Sequence, residues 1–534
     1  MTRLCVPIFV RSVDQARRDA LVAVERGAEL IELRLDTLPG ERLDEDGDDF
    51  VVGQLAELIR RLRESNVRCI LTLRAGDEGG KSDADDETRF MRLAHVASEA
   101  PSVVDLEWRP MTRAGGWPMA LLDLAADASL RFIVSAHDFQ TRPDDLLGVF
   151  SEMSQSRADV VKVAWCARSI RDNVEAFELL REAAKPSVAL CMGEAGLPSR
   201  ILAKKFNAYL TFASLSADAA TADGQLPIDV LKGRYRWDSL GRATSVYGVV
   251  GHPIAHSRSP HVHNAAFGAL GHDGVYLPLL VEPGYESFKA FMETWMPFEP
   301  LDLRGLSITL PHKENALRYA REVGADVDHV AGSVGSVNTF AIDPSGNGPR
   351  LVARNTDFGA ILATVAEAQG MSTEDLRGTS VGVLGAGGTG RTTVAAFASL
   401  GCDVTVYNRT RSRADDLAEE FNGVAGSDVH SASTGDVSRG EHRVWVNTTS
   451  LGMSPNVDAS AFGDAAPASL SGDALVFDTI YAPRETKLLR QAQAAGARTV
   501  NGARMFLHQA AAQCQLWTGQ EAPLEVMRDA FEAD

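Results

Sequence analysis

The 534-residue chain lacks any run of about 18 consecutive apolar residues, so no segment reads as a membrane-spanning helix. The apolar stretch from Leu4 to Val10 is too short for a secretory core and runs into charged residues, which leads us to expect an unprocessed, soluble protein. Cysteine is scarce. Six are scattered at 5, 69, 166, 191, 402 and 514 with no C-x-x-C pair, which excludes a disulfide framework and a zinc knuckle and fits a reducing cytoplasm. Positive charge is also short: 53 Lys and Arg face 72 Asp and Glu, a net charge of −19, which argues against nucleic acid or an anionic membrane as partner. No His, Cys and Asp set has metal-ligand spacing, so no metal is expected. What remains, 45% hydrophobic and 23% charged, is ordinary for a globular protein, and the length suggests roughly three units.

The most informative stretch is Ser380 to Arg391, SVGVLGAGGTGR. Val381, Val383 and Leu384 read as a buried parallel strand, and Gly385, Gly387 and Gly390 complete a G-x-G-x-x-G frame. Such a frame lets the backbone turn under a pyrophosphate that rests on the next helix's N-terminus. A second strand, Asp403 to Tyr407, ends at Asn408-Arg409-Thr410. A NAD site places an acidic residue there, whereas arginine favours a 2′-phosphate and therefore NADP.

From residue 1 to about 233, eight short apolar runs alternate with helical-period segments: 4–10, 30–35, 69–73, 103–107, 132–135, 160–164, 188–191 and 208–212. Eight such repeats match a (β/α)8 TIM barrel, whose active site forms at the C-terminal strand ends. The polar interruptions fall there. Glu32 and Arg34 share a face by their i, i+2 spacing, as do Asp105 and Glu107. Arg74 ends the third strand with Glu78 in its loop, His137 closes the fifth, and Lys162 interrupts the sixth. An unpaired buried ammonium costs several kcal/mol. Lys162 is therefore either paired with one of these carboxylates or deprotonated for nucleophilic chemistry, and the residues alone leave both open.

The motifs ELRLD (32–36), LTLRAGDEGG (71–80), SAHDF (135–139), KVA (162–164), CMGEAGLPSR (191–200) and ADGQLP (222–227) resemble type I 3-dehydroquinate dehydratase, in order and over nearly the whole first half. The resemblance implies that Lys162 forms an imine with the substrate ketone, His137 moves the proton from the adjacent carbon and Glu78 orients the histidine. It implies too that Arg200 clamps the substrate carboxylate, with Glu32, Arg34, Arg74 and Gln225 holding the remaining polar groups. Thr221 stands where many members have serine.

Periodicity lapses between Lys232 and Thr244, and residues 234–244 are assigned as a linker between units. Tyr235 and Trp237 inside it point to halves that pack together. Beyond it, His256 to His261 opens a helix with Pro260 in its first turn, and Ser307 to Lys313 ends a strand. Val337-Asn338-Thr339 and Arg354-Asn355-Thr356-Asp357 are each expected to end a short apolar run.

GHPIAHSRSPHVHNAAF (251–267), LSITLPHKE (306–314), GSVNT (335–339), RNTD (354–357), GAGGTGR (385–391), NRTRSR (408–413), NTTSLGM (447–453), DTIYAP (478–483) and GARMFLHQAAAQ (502–513) are similar to shikimate dehydrogenase along its length. This implies a substrate-binding lobe at 245–365 completed by a C-terminal helix at 505–534, and a Rossmann NADP-binding lobe at 366–504. Ser257, Ser259, Thr309, Asn338, Asp357, Tyr481 and Gln509 would contact shikimate, and Lys313 with Asp357 would form the catalytic pair. Gly385, Ala386, Gly387 and Gly388, with Gly502, would line the cofactor, and Asn408, Arg409, Thr410 and Arg413 its 2′-phosphate. Ser307 departs from the asparagine usual in bacterial members, and Cys514 from an aromatic residue. The order resembles the fused dehydratase–dehydrogenases of plants and some microbes, and the expectation is an NADP(H)-dependent bifunctional enzyme of small-molecule substrates. The alternatives are a quinate dehydrogenase of broader substrate use and a metabolite-sensing protein without turnover. The four residues Lys162, His137, Lys313 and Asp357 speak against the second.

Overall fold

The computed structural model describes residues 2–39, 43–44, 49–100, 102–127, 130–343, 349–464 and 466–533. Eight parallel strands open the chain: β1 (Arg3–Phe9), β2 (Leu30–Arg34), β3 (Arg68–Thr72), β4 (Val103–Glu107), β5 (Arg131–Asp138), β6 (Val160–Cys166), β7 (Ser187–Met192) and β8 (Leu210–Phe212). β1 to β7 pair in sequence order, β8 pairs with β1, and the Tyr209 N–H donates to the Ser187 carbonyl at 2.7 Å across the remaining gap between β7 and β8. The result is the expected (β/α)8 barrel.

Its interior follows from strand alternation. Cys5, Leu30, Ile70, Val103, Ile133, Val160, Val188 and Leu210 form an apolar plug. Two residues further along, five of these strands carry Glu32, Thr72, Asp105, Ser135 and Lys162 on the same face, all buried. Another two residues bring Arg34, Arg74, Glu107 and His137. A dry floor therefore underlies two polar layers at the C-terminal mouth.

Six strands follow: β9 (Ser245–Gly251), β10 (Gly274–Leu280), β11 (Leu303–Ile308), β12 (Asp326–Val327), β13 (Thr339–Asp343) and β14 (Arg350–Arg354). Their spatial order is β10-β9-β11-β13-β14-β12. Here one expectation is corrected. Val337-Asn338-Thr339 leads into β13 rather than ending a strand, because β13 runs antiparallel to β11 with Thr339 opposite Ser307. That reversal sets the start of β13 beside the end of β11, and the end of β14 at the same edge, since Thr339 also faces Arg354.

The last sheet comprises β15 (Ser380–Leu384), β16 (Asp403–Asn408), β17 (Asp428–Ser433), β18 (Val444–Asn447), β19 (Leu475–Asp478) and β20 (Arg498–Val500). All its pairs are parallel in the order β17-β16-β15-β18-β19-β20, the dinucleotide-binding order with its switch point between β15 and β18. The helix Asp357–Gln369 runs unbroken through position 365. The helix Gly502–Thr518 packs against it, and Leu524–Glu532 packs on Ser259–Ala269. Tyr235 and Trp237 are buried in a core cluster that holds residues of both halves. Phe177 stacks on Phe206 at 4.0 Å, and both rings face Phe298 of the second half.

Candidate active sites

At the barrel mouth, Glu32, Arg34, Arg74, Glu78, His137, Lys162, Arg200, Thr221 and Gln225 line one pocket. The barrel residues that the resemblance implies for the site are thus brought together. Lys162 donates to Asp105 Oδ2 at 3.0 Å, and its ammonium lies 4.7 Å from the centre of the Phe212 ring. Lys162 is both paired and directed into the pocket.

Asp105 holds this floor. Besides Lys162 it accepts from Arg74 Nη2 at 3.3 Å and from Ser135 Oγ at 2.5 Å. Burial by itself would raise its carboxyl, but Arg74 and Lys162, with the Ser135 hydrogen bond, outweigh burial and hold it well below the usual carboxylate range. The sequence marked Asp105 as inward-facing without assigning it a role in the site. Asp36 was also missed: it grips Arg34 through two bonds of 2.8 and 3.0 Å. Phe139, Leu190, Met192 and Phe212 supply apolar walls. Gly79 follows the turn that carries Glu78, in the left-handed region at φ 77 and with the Phe139 ring where a Cβ would stand.

His137 has two competing neighbours. Its Nδ1 lies 2.9 Å from Arg74 Nη1, a donor, and 3.3 Å from Glu78 Oε2, which also accepts the His137 backbone N–H at 3.0 Å. Burial, reinforced by Arg74 and Lys162, holds the imidazole well below its ordinary pKa, so it is neutral. Burial pushes Glu78 up to about 7 against the pull of Arg74. Glu78 Oε1 is buried without a hydrogen-bond partner among the described residues. Arg200 is likewise under-satisfied. It is buried, its Nε has no partner among the described residues and its Nη2 donates to the Asp223 carbonyl at 3.2 Å. Burial lowers its pKa to about 10. While Arg34 and Arg74 are neutralised by aspartates, no ion pair involves Arg200 among the described residues, leaving it suited to an incoming carboxylate. Thr221 N–H donates to Gln225 Oε1 at 2.7 Å, which fixes the loop across the pocket.

The second constellation gathers at the shared edge of β11, β13 and β14. Lys313 Nζ donates to Asp357 Oδ2 at 2.6 Å. Asn355, another residue the sequence reading left unassigned, holds Asp357 in place: its Oδ1 accepts the Asp357 N–H at 3.1 Å while its Nδ2 donates to the Ser336 carbonyl at 3.0 Å. Asn338 Oδ1 accepts the Thr356 N–H at 2.8 Å. Thr309 follows β11 directly, half-buried. Ser257 accepts the Ser259 N–H at 3.3 Å where helix Ser259–Ala269 begins.

A buried chain joins these groups. The Tyr276 hydroxyl donates to Ser307 Oγ at 2.6 Å. Ser307 donates to Gln513 Oε1, and Gln513 Nε2 to Thr339 Oγ1, each at 2.8 Å. The Ser307 hydroxyl is thus occupied within the protein, and Tyr276 and Gln513 are further residues that sequence reasoning missed. Gln509 lies one helical turn before Gln513 on the same face; no hydrogen bond of its side chain is found among the described residues. Tyr481 packs beside Phe506 and Phe531, with ring centres 5.5 and 5.6 Å away. It therefore sits with the C-terminal helices.

For a dinucleotide the test is steric and electrostatic. Gly385 adopts φ 107, and a Cβ on Gly390 would stand 2.3 Å from the Gly385 carbonyl, so the helix Gly388–Ala398 sits close on β15 only because Gly390 is bare. Among the described residues nothing lies within 4 Å of a Cβ built on Gly387 or Gly388, which leaves open ground before the helix N-terminus. Asn408 ties this turn to the next loop, accepting from Ala386 N–H at 3.3 Å and donating to the Thr410 carbonyl at 2.8 Å. Arg409, Thr410 and Arg413 are exposed. Arg411 pairs with Asp415, whereas no ion pair involves Arg409 or Arg413 among the described residues. These residues fit a phosphorylated dinucleotide. Gly502 is pressed against the Thr479 carbonyl, where a Cβ would approach to 2.0 Å. Among the described residues no group of three or more His, Cys, Asp or Glu could hold a metal ion, and no helix is long and apolar enough to cross a membrane.

Residues 4–242 match the family model of type I 3-dehydroquinase. Residues 249–340 match the shikimate dehydrogenase substrate binding domain, 367–435 shikimate / quinate 5-dehydrogenase, and 502–530 the shikimate 5′-dehydrogenase C-terminal domain. The chain is 34% identical, over 98% of its length and 83% of the relative's, to the chloroplastic bifunctional 3-dehydroquinate dehydratase/shikimate dehydrogenase of Arabidopsis thaliana. The shikimate dehydrogenases (NADP(+)) of Methanosarcina barkeri and Halorubrum lacusprofundi are 37% and 38% identical. They cover 53% and 54% of this chain and 96% and 98% of their own lengths.

Proposed function

Because the chain belongs to the bifunctional 3-dehydroquinate dehydratase/shikimate dehydrogenase family, we propose that its two reactions run at the barrel mouth and at the β11–β13–β14 edge. The chain dehydrates 3-dehydroquinate to 3-dehydroshikimate and reduces that product to shikimate. One observation carries the assignment of residues: a buried lysine held by a carboxylate opens into a pocket beside a neutral histidine and an under-satisfied arginine.

In the first reaction Lys162 Nζ adds to the substrate ketone and water leaves, giving an imine. The protonated imine draws electrons from the neighbouring carbon, so the neutral His137 can take its proton. The histidine then hands a proton to the departing hydroxyl, and water releases the product and regenerates the amine. Asp105 steadies each cationic stage, and Arg200 holds the carboxylate. In the second reaction Lys313 holds or moves the proton at the substrate oxygen, and Asp357 fixes the ammonium. Ser257, Ser259, Thr309, Asn338, Tyr481 and Gln509 would surround the substrate.

The cofactor, when bound, supplies the hydride. Gly385, Ala386, Gly387 and Gly388 would face its pyrophosphate, and Arg409 and Arg413, with Asn408 and Thr410, its 2′-phosphate, which makes NADP(H) our choice. The working units are then 1–233, 245–365 with 505–534, and 366–504, and residues 234–244 join them. Free cysteines support a reducing compartment, in our reading the cytoplasm.

The test exchanges substrates between variants. Lys162→Ala should consume no NADPH when fed 3-dehydroquinate, a loss of at least about 10³-fold, yet match the unaltered protein on 3-dehydroshikimate. Lys313→Ala should do the reverse, forming 3-dehydroshikimate without reducing it. Loss of both activities in either variant would overturn the assignment.

A further inference from the structure

The barrel and the dehydrogenase half meet close to the turn that aims Arg200. Trp295 ends the helix Tyr285–Trp295 of the dehydrogenase half and is wholly buried. Its indole N–H donates to the Ile170 carbonyl of the barrel at 3.3 Å. The same carbonyl accepts Asn173 Nδ2 at 2.7 Å, and this amide also donates to the Ala195 carbonyl at 2.8 Å. Asn173 Oδ1 accepts the Ser199 N–H at 2.9 Å. Ser199 Oγ in turn accepts the Cys191 N–H and donates to the Gly196 carbonyl, at 2.9 and 2.8 Å. Arg200 is the next residue, in a short helix, Leu197–Ile201, that also packs on β10 of the dehydrogenase half.

We infer that Trp295, a residue of the dehydrogenase half, is a positioning residue for the dehydratase reaction. Through Ile170, Asn173 and Ser199 it fixes the turn from which Arg200 reaches the substrate carboxylate. Five of these six bonds are buried, and each has a backbone group on one side, so loosening one end is felt at the other. The dehydrogenase half thus does more than follow in sequence: it completes the wall behind the first substrate's anion clamp. This inference rests on the reading of Arg200 as that clamp.

The experiment uses the full chain and measures steady-state dehydration of 3-dehydroquinate together with oxidation of shikimate. Trp295→Phe keeps the ring and removes the N–H. It should raise the dehydratase KM about five-fold with kcat nearly unchanged and leave shikimate oxidation intact, the size expected for one lost hydrogen bond. Arg200→Ala should raise that KM far more, and the double variant should exceed Arg200→Ala by less than the five-fold factor, because both changes act through one group. Trp295→Met serves as a second, volume-filling variant. An unchanged KM in Trp295→Phe beside a raised KM in Arg200→Ala overturns the inference and leaves the clamp standing. No KM effect in Arg200→Ala overturns both. Parallel loss of both activities in both Trp295 variants shows a merely structural residue and also overturns it.

Discussion

Glu78 and His137 stand 3.3 Å apart with opposite shifts: the carboxyl is pushed up to about 7 and the imidazole held far below its usual value. Ionised Glu78 accepts the proton on Nδ1 and leaves Nε2 free as the base. Protonated Glu78 cannot, and Arg74 then donates to Nδ1 and holds the other tautomer. Dehydratase kcat should therefore fall as pH drops through about 7, a limb that belongs to Glu78 and not to the histidine. Glu78→Gln should lower kcat roughly 10- to 100-fold and remove that limb, as a pH–rate profile would show. The stability linkage has the opposite sense. A carboxyl whose folded pKa is raised from 4.5 to about 7 contributes stability below 4.5 that is lost as pH rises toward 7. Much of this layer was legible from i, i+2 spacing, which marked Glu32, Arg34, Asp105 and Glu107 as inward. Partner choice was not, because Asp105 meets Arg74 and Lys162 from 31 and 57 residues away. Nor was the grip of Asn355 on Asp357, a bond between two residues of one polar turn.

Among the elements, β15 and its helix were the most readable, since an apolar strand broken by glycines needs no distant partner to be seen. The start of β13 was misread because direction within a sheet is not written in a short apolar run; only the pairing of Thr339 with Ser307 reveals it. The helix Asp357–Gln369 stops at Gly370, whose φ of 70 caps it. At the end of β16, two exposed arginines without ion-pair partners among the described residues should govern cofactor choice. Replacing Arg409 and Arg413 together with alanine should raise the KM for NADPH about 10- to 100-fold and barely change that for NADH, as expected for charge-assisted contacts to a 2′-phosphate. Steady-state reduction of 3-dehydroshikimate with each cofactor checks this.

Across the whole molecule, the joint at 234–244 packs rather than dangles. Lys205 Nζ donates to the carbonyls of Arg242 and Thr244, at 3.1 and 2.8 Å, and Trp237 is buried. With Phe177, Phe206 and Phe298 stacked across the halves, heating should remove both activities in overlapping transitions, their midpoints within about 5 °C of each other. Residual activity assays after timed heating measure this. The aromatic residues in the joint hinted at such packing, but the Trp295 link could not be read from sequence, because it joins positions 125 residues apart. The account's central claim is that Lys162 bonds covalently to its substrate. Borohydride added during turnover of 3-dehydroquinate should inactivate the dehydratase alone and leave a substrate-derived mass on the peptide carrying Lys162. Dehydratase activity that survives with Lys162 unmodified, or a label on another lysine, would contradict it.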